Sequence, residues 1–140
     1  MCGLIAVRAL SAAADLHQRA SRALASLARR GPDAEGLLMV ETAPPTLLGH
    51  RRLAILDTSS AAEQPMRCPV SGTVLVFNGA IYNFVELRAE LRALGCVFVT
   101  DGDTEVLLHG WRVWGEGLFS RCNGMWAVVI WDAPSGDLVY

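Results

Sequence analysis

The apolar positions along this chain change period several times, and each change marks an expected element. Residues 3–7, GLIAV, form a short continuous apolar run that predicts a buried strand. From Ser11 to about Ala28 the period becomes helical. Leu16, Ala20, Ala23, Leu24 and Leu27 then share one face, behind a serine suited to N-capping. RRGPD stops that helix, because Gly31 and Pro32 do not continue one. GLLMVE and TLLGHRRLAIL read as strands joined at Pro44 and Pro45, and residues 57–72, rich in Ser, Pro and Gly, read as loop.

TVLVFNG predicts a strand closed by a glycine turn. NFVELRAELRAL predicts an amphipathic helix with Phe84, Leu87, Leu91 and Leu94 inward and Arg88 or Glu90 outward. A short strand near Val97–Val99 leads to DGDTEVLLHGWRVWG, where an aspartate and a threonine introduce a further helix. MWAVVIWD, the turn APSG and DLVY form a hairpin. Hairpins on either side of helices, without regular strand–helix alternation, point to an antiparallel α+β sandwich rather than a doubly wound sheet. No repeat or linker divides residues 1–140, so one domain is expected. The chain stops inside its last strand, which suggests the N-terminal part of a longer protein.

Composition narrows the function classes. At 140 residues, about 68–70% of the unfolded surface is buried on folding, enough for a real core. A hydrophobic share of 52% and a charged share of 19% fit a globular chain, and a net charge of −2 makes no case for nucleic acid or membrane partners. All 12 basic residues are arginine, which excludes lysine Schiff-base chemistry and a P-loop lysine. There is no basic n-region, Arg8 interrupts the first apolar run, and Gly3 stands one place too late for myristoylation. A cytoplasmic protein is expected. Cys2, Cys68, Cys96 and Cys122 are too scattered for a zinc site or a disulfide framework, and Cys96 and Cys122 read as interior hydrophobes.

Cys2 is different because of its place. Once Met1 is removed, it carries both a thiol and a free α-amine, with ordinary pKa values of about 8.5 and about 7.7–8.0. The neutral amine is then able to take the thiol proton, so one residue supplies nucleophile and base.

Seven motifs follow in order: MCG, RRGPD, GHRRLAILD, QPM, FNGAIYN, DTEVLL and NGMWA. Together they resemble the glutaminase domain of class II glutamine amidotransferases, an N-terminal-nucleophile hydrolase type, and most of all that of glutamine-hydrolysing asparagine synthetases. The resemblance implies a four-layer αββα sandwich of two antiparallel sheets. It also implies hydrolysis of L-glutamine through a thioester on Cys2, with ammonia passing to an ATP-dependent synthetase domain. No cofactor or metal is implied within these residues; ATP and Mg belong to the synthetase domain. By the same resemblance, Asn78 and Gly79 match the oxyanion hole and Arg52 the clamp on the substrate carboxylate. The backbone through Leu56 matches the pocket wall, and Asp103 the partner of the substrate ammonium. Arg30 and Asp33 shape the adjoining loop, and His17, His50 and His109 read as structural, with His50 as the base of a cysteine–histidine dyad the alternative.

Each motif also has a plainer reading: Arg52 as a surface arginine, Asp103 as a helix cap, Asn78-Gly79 as a hairpin turn. The shared order of the seven favours the catalytic one. The sequence departs from the family pattern at Arg29, Gly102 and Ala80, where histidine, serine and glutamate are usual. Ala80 supports a rival reading, a catalytically weak regulatory or scaffolding domain whose partner uses free ammonia.

Overall fold

The structure, a computed structural model, describes residues 2–9, 15–40 and 44–140. Two antiparallel sheets are stacked between helices. The first contains β1 (Gly3–Arg8), β2 (Ala34–Val40) and β3 (Thr46–Arg52), with β3 central. The second runs β4 (Met66–Arg67), β5 (Val74–Ile81), β6 (Gly124–Asp132), β7 (Asp137–Val139) in spatial order. Helix α1 (Leu16–Ser26) covers the first sheet, while α2 (Phe84–Ala93) and α3 (Asp103–Trp114) cover the second. This is the expected α+β αββα sandwich.

The period-two pattern of β5 explains the layering. Val74 and Val76 meet Val40, Leu48 and Val129 between the sheets, whereas Leu75, Phe77 and Ile81 pack under α2 and α3. Central β3 is buried on both faces, with Leu48 toward the second sheet and Leu47 toward α1. His50 ties the layers together, its Nε2 facing the Phe77 carbonyl of β5 at 3.0 Å. No helix among the described residues is long and apolar enough to cross a membrane.

Several expectations are corrected. The strand through Asn78 and Gly79 does not turn; it continues to Ile81, paired with β6 throughout. TLLGHRRLAIL is strand only to Arg52, and Leu53 onward leaves the ladder. No strand forms near Val97–Val99: Val97 and Val99 are exposed, and the Val99 N–H is taken by the Glu105 carboxylate at 3.0 Å instead of by a neighbouring strand. Leu94 is exposed, because α2 ends at Ala93 and Gly95 turns the chain at φ +88°.

Arg88 is buried, not outward. Its guanidinium donates to the carbonyls of Thr100 and Gly102, both at 2.6 Å, and stacks 5.0 Å from the Phe98 ring. On α1, Ala23 is exposed and Leu27 half-buried; Ser11, the expected cap, lies outside the described residues. Cys96 is buried as expected, and Cys122 only half-buried.

Candidate active site

Register places Cys2. Gly3 pairs with Arg51 across β1 and β3, so one step earlier Cys2 stands opposite Arg52, where both strands reach the same end of the sandwich. The Leu53 N–H points at the Cys2 sulfur at 3.3 Å, and the Leu53 carbonyl lies 3.6 Å from it. Arg30 Nε donates to the Cys2 carbonyl at 3.1 Å, and the Ala54 N–H donates to Asp33 at 2.8 Å. Arg30 and Asp33 thus brace the loop beside the thiol, as RRGPD suggested. Gly31 is needed there, since an added Cβ would sit 2.3 Å from the Arg51 carbonyl group.

Cys2, Arg52, Leu56, Asn78, Gly79, Ala80 and Asp103 all line one cavity of about 310 Å³. The structure therefore brings together every residue that the sequence offered for catalysis or substrate binding. β5 supplies three of them. Its backbone N–H groups alternate in direction along the strand. The Phe77 N–H is taken by Gln64 Oε1 at 2.6 Å and the Ile81 N–H by Asp103 Oδ2 at 3.0 Å, both on the edge away from β6. The Gly79 N–H lies between them on that same edge, facing the cavity, and β4 stops pairing at Leu75. Glycine is required at 79 because an added Cβ would meet the Met125 carbonyl oxygen at 2.3 Å.

The opposite wall is irregular. Arg52 is buried and donates to the Ser59 carbonyl at 2.8 Å and to the Asp57 carbonyl, drawing residues 53–59 around its guanidinium. These two bonds use two of its five N–H groups. Asp103, the first residue of α3, is buried, and burial pushes its carboxyl above the usual carboxylate range against the backbone donors of Ile81, Asp103 and Thr104.

The histidines stand apart from the chemistry. His50 is buried with its Nδ1 unpartnered, and burial lowers its pKa to about 4. It is neutral near pH 7, with Nε2–H donating to Phe77. His109 packs edge-on to Phe98 beside Glu105, and His17 is exposed.

Several cavity residues were not assigned from the sequence, among them Asp57, Gln64, Thr104 and Met125. Buried Gln64 joins the Phe77 N–H to the Thr104 hydroxyl, which lies 3.3 Å from its Nε2. A glutamine flanked by loop residues in QPM was the available signal.

The sequence matches the glutamine amidotransferase domain family over residues 1–140. It is 38% identical to asparagine synthetase (glutamine-hydrolysing) 1 of Bacillus subtilis, over 94% of this chain and 21% of that protein. It is 35% identical to asparagine synthetase (glutamine-hydrolysing) 2 of Oryza sativa subsp. japonica, over 99% of this chain and 23% of the relative. Among solved structures, glutamine phosphoribosylpyrophosphate amidotransferase from B. subtilis superposes with a TM-score of 0.54 at 27% identity, covering 64% of this chain and 21% of that one. The chain thus spans under a quarter of the length of these curated relatives. With the whole sequence matched and the two-sheet fold shared, the chain belongs to the glutamine amidotransferase domain family.

Proposed function

We propose that this domain hydrolyses L-glutamine to L-glutamate and ammonia through a γ-glutamyl thioester on Cys2. The observation that carries this reading is the meeting, in one cavity, of the Cys2 thiol with the outward-facing Gly79 N–H beside Asn78. After removal of Met1, the α-amine of Cys2 takes the thiol proton, and the sulfur attacks the side-chain amide carbon. The charge that develops on the amide oxygen falls to the Gly79 N–H and the Asn78 amide, fixed donors of the kind that stabilise a tetrahedral intermediate. As the intermediate collapses, the protonated α-amine gives its proton to the departing nitrogen and ammonia leaves. Water then cleaves the thioester, restoring the thiol and releasing glutamate.

Arg52 pairs with the substrate α-carboxylate as a planar fork, and Asp103 with its ammonium. No cofactor takes part within this domain. The ammonia passes to an ATP- and Mg-dependent synthetase domain that amidates a carboxylate, and the protein works in the cytoplasm. One observation favours a weaker version of the reading: Ala80 places only a methyl in the cavity wall. That fits a domain that binds glutamine poorly while its partner draws on free ammonia. Glutamate release by the purified protein from L-glutamine, with L-asparagine as control, tests the proposal. Release from glutamine alone, on material whose intact mass shows Met1 removed, is the expected result. No release, or full activity with Met1 retained, overturns it.

A further inference from the structure

The Leu53–Ser59 segment and the turn leading into α3 both contribute to the cavity wall, and one side chain joins them. Asp57 Oδ1 accepts the Ser59 N–H at 2.8 Å, a local Asx-type bond. Its Oδ2 accepts the Asp101 N–H at 2.8 Å, across 44 residues of sequence. Its backbone carbonyl receives Arg52 Nη2. A single residue thus touches both Arg52 and the turn that begins Asp103.

The turn is already fixed on its inner side. Arg88 from α2 holds the carbonyls of Thr100 and Gly102, and Glu105 from α3 accepts the Thr100 N–H at 2.7 Å. The segment facing it has no strand of its own after Arg52. Among the described residues, the hydrogen bond that ties it to the turn is Asp57–Asp101.

We propose that Asp57 is a positioning residue: it clasps the Arg52 segment to the Asp103 turn and so sets the spacing between the groups that meet the two charged ends of the substrate. The inference rests on the glutaminase reading for its substrate. Both carboxylate oxygens are already used on backbone donors, which suits a clasp better than a ligand. The hydroxyl of Ser59, with the N–H groups of Asp101 and Ser59, lowers its pKa to about 2, so the clasp stays ionised near pH 7.

Asp57→Ala and Asp57→Asn in the full chain test this, by L-glutamine kinetics together with amide hydrogen exchange. For Asp57→Ala, KM should rise about tenfold or more with kcat within about threefold, the scale of a lost charge-assisted hydrogen bond acting on binding alone. The Asp101 amide should exchange about tenfold faster or more, while Ala127 and Val129 in β6, whose N–H groups face β5, keep their protection. Asp57→Asn, which keeps one carbonyl acceptor, should show the same pattern more weakly. If Asp57→Ala loses protection at Val129 it has unfolded, and the Asn variant then decides by the same criteria. Unchanged exchange at Asp101, faster exchange with unchanged KM, or a kcat that falls as far as KM rises overturns the clasp. Wild-type protein that releases no glutamate overturns the glutaminase reading instead, and the exchange arm still decides whether Asp57 holds the two segments together.

Discussion

At the reacting end of the cavity, Cys2 and Asn78–Ala80 sit on or beside paired strands, behind which His50 joins the two sheets. At the other end, Arg52 closes β3, Asp103 opens α3, and residues 53–59 between them have no ladder. The first arrangement is held by many cooperative backbone bonds. The second depends on a few side chains, Arg52, Asp57, Arg88 and Glu105, each satisfying backbone groups that no strand or helix reaches. Orienting charge stabilisation for a transition state needs rigid donors, and the strands provide them. Gripping the ends of a small amino acid needs charged groups, which the loops bring in.

The sharpest way to test that division is to remove one group from each end. Asn78→Ala should lower kcat by about 10²–10³, the usual effect of losing an oxyanion donor, with KM little changed. Arg52→Ala should raise KM by about tenfold or more while kcat stays within a few-fold, the pattern of a proposed carboxylate contact made equally in ground and transition states. Steady-state kinetics of glutamate release on both variants checks this. The opposite pattern would reverse the assignment of the two ends.

His50 tests whether the reacting end owes its order to the stacked sheets. In the fold it stays neutral down to about pH 4, whereas in the unfolded chain it titrates at its ordinary value of 6.5. As pH falls, the unfolded chain takes up the proton first. The stability contributed by neutral His50 is therefore complete above pH 6.5 and is lost between there and about 4. Across that window the loss is about 3 kcal/mol. Urea unfolding at a series of pH values should show it, and His50→Gln, which keeps a donor for Phe77, should flatten it. An equal slope in both proteins would mean that His50 is not a neutral tie between the sheets.

The smallest expected effect is at the recognition end. Ala80 pairs with Met125 across β5 and β6, so this stretch of the wall is apolar, and Asp103 is the acid proposed to meet the substrate ammonium. Ala80→Glu should add a second acid and lower KM for L-glutamine by about tenfold, with kcat unchanged. An unchanged KM would place the ammonium elsewhere in the cavity.

The same division explains what the sequence made legible. β1, β5 and β6 announce themselves through apolar runs and period two, and α3 through its aspartate and its spacing. Asn78-Gly79 read as the turn that closes a strand, because those two residues favour turns; pairing with β6 carries the strand on to Ile81 instead. The false strand at Val97–Val99 arose because only Phe98 packs inward, and local apolar content does not show that Glu105 captures the backbone donors. Arg88 looked like a solvent-facing charge, since its partners are carbonyls 12 and 14 residues away, invisible to any local pattern. Asp57 escaped notice for the same reason. The catalytic candidates were legible from motif order, but the side chains that hold the recognition end became visible only once the loops were in place.

The central claim is a covalent one, and an acid-quenched single turnover tests it most directly. Protein mixed with L-glutamine, quenched in acid and digested, is analysed by peptide mass. The account predicts a γ-glutamyl adduct on the peptide beginning with Cys2, absent from Cys2→Ala, which should also release no glutamate. An adduct on Cys68, Cys96 or Cys122, or glutamate release that persists in Cys2→Ala, would contradict it.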